Sequence, residues 1–181
     1  MTPVRVLSVC THNRTRSVLV GGLLTQHFER DGVDGGVRAV GFGDSGLPAT
    51  TETIRLLASR GVDVRDHRSR QITGEDVIGA DLIVTAERMH VIEIAGRWPD
   101  AFDKTMTLPE LVQRGEGAPR PDQTGITSWL DAMSLGRPHN LDYLDADIDE
   151  IADPTGQPPA AWRKCTDQID DLTARLAKML A

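Results

Sequence analysis

The sequence predicts an α/β fold, a three-layer α/β/α sandwich around a four-stranded parallel sheet. Three observations predict it. Four short β-rich runs alternate with segments of helical period, the order of successive β-α units. The runs are largely apolar throughout, as strands covered on both faces are. The 181 residues are enough for one full core and short for two, so residues 1–181 are read as a single domain.

The elements follow in order. "VRVLSV" opens the chain as a buried parallel strand. A loop leads into "SVLVGGLLTQHFERDG", where Ser17 is placed to cap a helix and Leu19, Leu23, Leu24 and Phe28 recur at roughly helical spacing. Gly21–Gly22 weakens that helix and points to close packing on the sheet. "GGVRAVGFG", Gly35 to Gly43, is a second strand, and "TTETIRLLASRGVD" a helix stopped at Gly61. "ADLIVTA" is the third strand, "RMHVIEIAGRWP" a helix halted before Pro99, and "DKTMTL" the fourth strand. "PELVQRG" is a short helix with Pro109 at its first position. Arg114 to Pro159 is irregular and holds most of the prolines, with one short helix expected near Ser128–Met133. The last segment is amphipathic, with Trp162, Ile169, Leu172, Leu176 and Leu180 on one helical stripe.

Charge and cysteine usage narrow the function classes. The formal charge is −7, which argues against a general nucleic-acid or membrane surface. Residues 1–28 nevertheless carry Arg5, Arg14 and Arg16 with no Asp or Glu, so an anion finds a positive site on a negative protein. Cys10 and Cys165 make no disulfide framework, and the chain reads as reduced and cytoplasmic. Neither cysteine belongs to a Cys/His cluster, so no metal or other cofactor is expected. The apolar run at the N-terminus is too short for a signal peptide or a membrane span.

Cys10 falls at the end of the first strand, and its loop delivers the chain to a helix near Ser17. Open α/β sheets bind ligands at the carboxyl ends of strands, near helix N-termini. Backbone N–H groups of such a loop can converge on an anion, and Arg16 can add a bidentate fork. The same positive field favours the thiolate of a thiol placed within it. Cys-x5-Arg would thus bind an oxyanion and supply a nucleophile. Two readings stay open at this level: that reaction centre, or a small buried hydrophobe at a strand end beside arginines by chance. The Gly-x4-Gly-Lys-Ser/Thr nucleotide loop is absent, which disfavours ATP or GTP.

"VLSVCTHNRTRS" resembles the active-site loop of low-molecular-weight protein tyrosine phosphatases, Val-x-x-x-Cys-x-x-Asn-x-x-Arg-Ser. "LPATTETIRLLASRGVDVRDHRSRQIT", "ADLIVTAERMH" and "IADPTGQPPAAWRKCTDQIDDL" are similar to later parts of that family, in order and over nearly the whole chain. The resemblance implies a phosphomonoester hydrolase working through phosphocysteine, with a phosphorylated protein or small molecule as substrate and affinity for phosphate or other oxyanions. Cys10 would be the nucleophile, and Arg16 with the backbone N–H groups of Thr11, His12, Asn13, Arg14, Thr15 and Arg16 would bind the phosphate. Asn13 and Ser17 would hold the loop, Ser17 also donating to the Cys10 sulfur, and His67 would brace it through Asn13. Asp153 would be general acid for the leaving group, then general base for water.

This loop also departs from its relatives. His12 replaces a glycine, Thr15 a frequent second cysteine, Val18 a proline, and Ala39 a bracing serine. Thr155 and Gly156 follow Asp153–Pro154 where aromatics usually stand, and Tyr143 is the chain's one tyrosine. Arg14 stands where the family's arginine-phosphatase branch has threonine, which disfavours that specificity; it either suits an acidic substrate or is simply solvated. Two alternatives remain: an arsenate reductase using an external low-molecular-weight thiol, and a non-catalytic phosphate-binding homologue. A relay through internal cysteines is disfavoured because none lies between Cys10 and Cys165. Residues 141–153 hold six carboxylates and no basic residue, so crowding is expected to raise the pKa of Asp153. His90 and His139 carry no expected role, and Cys165 and the tryptophans read as packing, with Trp129 a candidate to line the cleft.

Overall fold

A computed structural model describes residues 3–119, 121, 125–139 and 142–181. The irregular segment expected after Arg114 includes 120, 122–124 and 140–141, which lie outside them. Four strands, β1 (Val4–Cys10), β2 (Gly35–Gly41), β3 (Leu82–Thr85) and β4 (Thr105–Thr107), form a parallel sheet in the order β2-β1-β3-β4. The helices are α1 (Arg16–Asp31), α2 (Thr51–Ala58), α3 (Gly74–Gly79), α4 (Arg88–Arg97), α5 (Leu108–Gly117), α6 (Ile126–Ser134), α7 (Asp142–Asp145) and α8 (Pro159–Leu180). The expected α/β sandwich with its four-stranded parallel sheet is present.

Strand alternation divides the sheet into two covered faces. Val6, Val84 and Met106 join Leu19, Leu23 and Leu24 of α1, Leu111 of α5 and Ile169, Leu172 and Leu176 of α8 in the larger core. Leu7, Val9, Val40 and Ile83 point the other way, against Val77 of α3 and Ile94 of α4. Burial on both faces is why the strands read as continuous apolar runs. Gly32 ends α1 in the left-handed region, at φ 72°, and donates its N–H to the Phe28 carbonyl.

Several boundaries differ from expectation for identifiable reasons. The six-residue α3 was not anticipated, because "GEDVIG" is too short to show a period and has glycine at both ends. Its start is a capping box: the Thr73 hydroxyl accepts from Asp76 N while Asp76 accepts from Thr73 N. Helix α5 starts one residue earlier than expected, so Pro109 is its second residue; Thr107 caps it, and its hydroxyl accepts from Glu110 N. Gly22 rather than the sheet contact at Gly21 is the tight position of α1. A Cβ there would lie 3.0 Å from Val62 and 3.3 Å from Leu57.

The order β2-β1-β3 places successive connections on opposite sides of β1. Their divergence opens a crevice at the carboxyl end of β1, the usual binding position in such sheets. Cys10 is the last residue of that strand.

Candidate active site

Five residues, Thr11 to Thr15, join β1 to α1, and the chain fastens them from several directions. The Thr11 carbonyl accepts from the N–H groups of Phe42 and Gly43, both at 2.8 Å. Asn13 turns the loop at φ 52°, a region asparagine tolerates better than most residues. Its Oδ1 accepts from Arg70 N at 2.9 Å, and its backbone carbonyl accepts from His67 Nε2 at 2.8 Å. The Arg14 carbonyl accepts from Thr50 N at 3.0 Å. Gly41 makes room for all this: a Cβ there would stand 2.7 Å from Asn13 N and 2.8 Å from Cys10 O.

Ser17 corrects one expectation. The cap of α1 is Thr15, which makes no side-chain capping bond, and Ser17 lies inside the helix. Its hydroxyl is committed elsewhere. Asn13 Nδ2 donates to Ser17 Oγ at 3.0 Å, leaving the Ser17 proton free to face Cys10 Sγ at 3.1 Å. Cys10, Asn13, Arg16 and Ser17 are all buried. The first N–H groups of α1 have no intrahelical acceptor and face this end of the strand.

Arg16 joins parts of the chain far apart in sequence. One terminal nitrogen donates to Glu87 Oε1 and, at 2.9 Å, to the Ile151 carbonyl. The other donates to Asp153 Oδ2 at 2.9 Å. The Arg16 side chain is 3% exposed, whereas that of Asp153 is 43% exposed. Partial burial pushes the Asp153 carboxyl upward. Hydrogen bonds from the N–H and hydroxyl of Thr155, with the charges of Arg16 and His12, outweigh it and hold the carboxyl below its ordinary range. The expectation of a raised Asp153 is therefore overturned. None of the neighbouring acids is among the largest contributions to its field.

Cys10, Thr11, His12, Arg14, Thr15, Arg16, Thr50, Asp153 and Thr155 line a cleft of about 80 Å³. Pockets that enclose whole small molecules run to roughly 300–1,000 Å³, so this one admits an oxyanion and leaves the rest of its carrier on the rim. Among the described residues no Phe, Tyr or Trp lines this cleft. Arg14 is held by Nε on the Pro48 carbonyl at 2.8 Å and forms no ion pair among the described residues. Larger cavities lie elsewhere, including one of about 420 Å³ beside Arg5, Arg38 and Asp76, away from the cysteine.

Sequence reasoning passed over Glu87 and His90. Both sit at the start of α4, Glu87 as its cap against Arg16 and His90 on its first turn against Thr11, whose Oγ1 is 3.0 Å from His90 Nε2. Their Glu-x-x-His spacing at a helix start was the available signal. Trp129 is 2% exposed in the core and does not line the cleft. Cys165 is buried in the same core, and burial pushes its thiol up to about 11. His139 is tilted against Phe102, at 42° between the ring planes, and does not line the cleft. Among the described residues no group of three His, Cys, Asp or Glu side chains is placed to hold a metal ion. Among them, too, no helix is long and apolar enough to cross a membrane.

Comparison with known proteins adds an independent line. Residues 5–122 match the model of the low molecular weight phosphotyrosine protein phosphatase family. That match includes the whole Cys10 loop and ends before Asp153. A protein-arginine-phosphatase of Geobacillus stearothermophilus is 28% identical over 179 residues, 98% of this chain and 97% of the relative. A probable low molecular weight protein-tyrosine-phosphatase of Ralstonia solanacearum is 33% identical over 131 residues, 72% of this chain and 86% of its own. The crystal structure of a low molecular weight protein tyrosine phosphatase from T. tengcongensis superposes with a TM-score of 0.73 at 25% identity, covering 97% of this chain and 98% of that one.

Proposed function

Because the chain belongs to the low molecular weight phosphotyrosine protein phosphatase family, we propose that it hydrolyses phosphomonoesters through a phosphocysteine intermediate, with phosphotyrosine or a related ester as substrate. One observation carries the reading: a cysteine sulfur, an anion-facing loop, a buried arginine and a carboxyl group converge on one 80 Å³ cleft. Cys10, as thiolate, attacks phosphorus. The S–P bond forms as the P–O bond to the leaving group breaks, and Asp153 gives that oxygen its proton. In the second step Asp153 takes a proton from water. The water oxygen bonds to phosphorus, and the S–P bond breaks to return the thiolate. Arg16 and the N–H groups of residues 11–16 hold the equatorial oxygens throughout.

The low resting pKa of Asp153 fits this sequence once substrate is considered. A dianion seated on Arg16 takes up the guanidinium that now faces Asp153 and adds negative charge beside it. Both effects push the carboxyl up toward the protonated acid that the first step needs.

A second reading, phosphoarginine as substrate, is favoured by the activity of the relative matched over nearly the full chain. Arg14 opposes it, since a cation on the rim repels a guanidinium leaving group and attracts acidic neighbours of a phosphotyrosine. The test is a parallel assay of p-nitrophenyl phosphate, phosphotyrosine and phosphoarginine peptides, and arsenate with a low-molecular-weight thiol, with Cys10→Ser as control. Metal-independent, vanadate-sensitive ester hydrolysis that falls about 10⁴-fold or more in Cys10→Ser is expected. Turnover confined to phosphoarginine would shift the substrate class. Arsenate turnover alone would replace the reading with a reductase, and oxyanion binding with no turnover would reduce it to a binding module.

A further inference from the structure

His90 is a buried, 3% exposed histidine that the two-step chemistry above does not use. Its surroundings determine where its proton lies. Glu87 N donates to His90 Nδ1 at 3.2 Å, and a backbone N–H can only donate, so Nδ1 must present a lone pair. A neutral ring then carries its single proton on Nε2. That nitrogen is 3.0 Å from Thr11 Oγ1, so Thr11 is the acceptor. The ring is also stacked against Phe42, with centroids 5.7 Å apart and planes at 29°. Burial, reinforced by the charge of Arg16, outweighs the pull of Glu87, Glu150 and Asp153 and lowers His90 to about 4, so the ring stays neutral near pH 7.

The consequence falls on Thr11. With one lone pair taken by His90, its hydroxyl proton is turned away from α4, and this hydroxyl has no other partner among the described residues. Thr11 follows the proposed nucleophile and lines the anion cleft. Its backbone is fixed through two bonds to its carbonyl, which leaves the side-chain torsion and the hydroxyl rotor for His90 to set. We infer that His90 is a positioning residue that makes the Thr11 hydroxyl a side-chain donor to the bound oxyanion. The start of α4 then grips the loop at both ends, its cap Glu87 on Arg16 and His90 on Thr11.

The inference rests on the proposed oxyanion site, and wild-type vanadate inhibition tests that site separately. The experiment is a double-mutant cycle on the vanadate inhibition constant with Thr11→Val, His90→Asn and both together, plus Thr11→Ser. Asparagine keeps an acceptor for Glu87 N but falls short of Thr11. Each single change is expected to weaken vanadate about 10-fold, the loss of one hydrogen bond to a charged group. The double variant should be no weaker than either single one, and Thr11→Ser should stay within about 3-fold of wild type. Additive losses, or an unchanged constant in Thr11→Val, would overturn the inference while leaving the phosphatase reading intact. Should a variant fail to fold, long-range ¹H–¹⁵N spectra of the wild-type ring decide. A proton on Nε2 supports the assignment, and one on Nδ1 refutes it.

Discussion

The loop from Cys10 to Ser17 and the segment carrying Asp153 meet at one cleft but are built in opposite ways. The loop is buried at Cys10, Asn13 and Thr15 to Ser17, with His12 exposed, and it is tied to the chain after β2, to Thr50 at the start of α2, to α4 and to the chain near His67 and Arg70. Asp153 is exposed, although the chain leading to it is tied down: Thr107 donates to the Asp149 carbonyl, Arg88 pairs with Glu150, Ile151 N donates to Ala86 O and Ile151 O accepts from Arg16. Behind it, a buried knot holds the preceding chain. Glu110 accepts from Arg114, Arg137 and the Tyr143 hydroxyl, while Arg137 reaches the Phe102 and Thr105 carbonyls. Burial and the charge of Glu110 push Tyr143 upward, so its proton stays in the knot. The contrast teaches a division of labour. Binding a dianion requires fixed donors at fixed distances, whereas a group that must both give and accept a proton benefits from contact with solvent.

The comparison can be broken in four places, from the largest effect to the smallest. Asp153→Asn should lower kcat by about 10²- to 10⁴-fold on esters of poor leaving groups, and far less in the first step with p-nitrophenyl phosphate. Vanadate should bind this variant more tightly, because Arg16 loses a competing carboxylate. Weaker binding would place Asp153 in the anion-holding half instead. Glu110→Gln leaves buried Arg137 without its countercharge and should cost about 3–5 kcal/mol in denaturant unfolding. In whatever fraction stays folded, kcat should suffer before vanadate affinity. The reverse order would mean that the knot supports the loop.

A third test uses pH. His90 is pulled down from 6.5 to about 4, so the unfolded chain binds the extra proton first. Its contribution is full above pH 6.5 and is lost as pH falls to about 4, roughly 3 kcal/mol in all. His90→Asn should flatten that slope, and identical slopes in both proteins would contradict a buried neutral ring. The smallest effect concerns the acidic run. Replacing Asp142, Asp145 and Asp147 together by Asn should leave the acidic limb of the pH–rate profile nearly in place, since burial, Thr155, Arg16 and His12 make the largest contributions at Asp153. A displaced limb would restore the crowding argument.

That last case marks what the sequence could and could not reveal. The strands, the crevice at Cys10 and the Cys-x5-Arg spacing are local or periodic features, and local patterns are legible in one chain. Residues 10–17 also state their own geometry, because a strand end, a short loop and a helix start lie within eight positions. The field at Asp153 is only partly local: after burial, its largest contributions are hydrogen bonds from Thr155, two residues on, and then the charge of Arg16, 137 residues away, which no local pattern reveals. Glu87 and His90 were missed for the same reason. Their partners, Arg16 and Thr11, lie 71 and 79 residues off, and only the packing of α4 beside β1 brings them together. Ser17 was misread as a cap because its hydroxyl answers to Cys10 and Asn13 rather than to its own helix.

The central claim is that Cys10 carries the phosphoryl group between the two steps. It is tested most directly by rapid acid quench of Asp153→Asn during p-nitrophenyl phosphate turnover, followed by peptide mapping. This substrate leaves without an acid, whereas hydrolysis of the intermediate still lacks its base, so the phosphoenzyme should accumulate. The account predicts one phosphoryl group per chain, on Cys10 and absent from Cys10→Ser. Undiminished turnover by Cys10→Ser, or a phosphoryl group on any other residue, would contradict it.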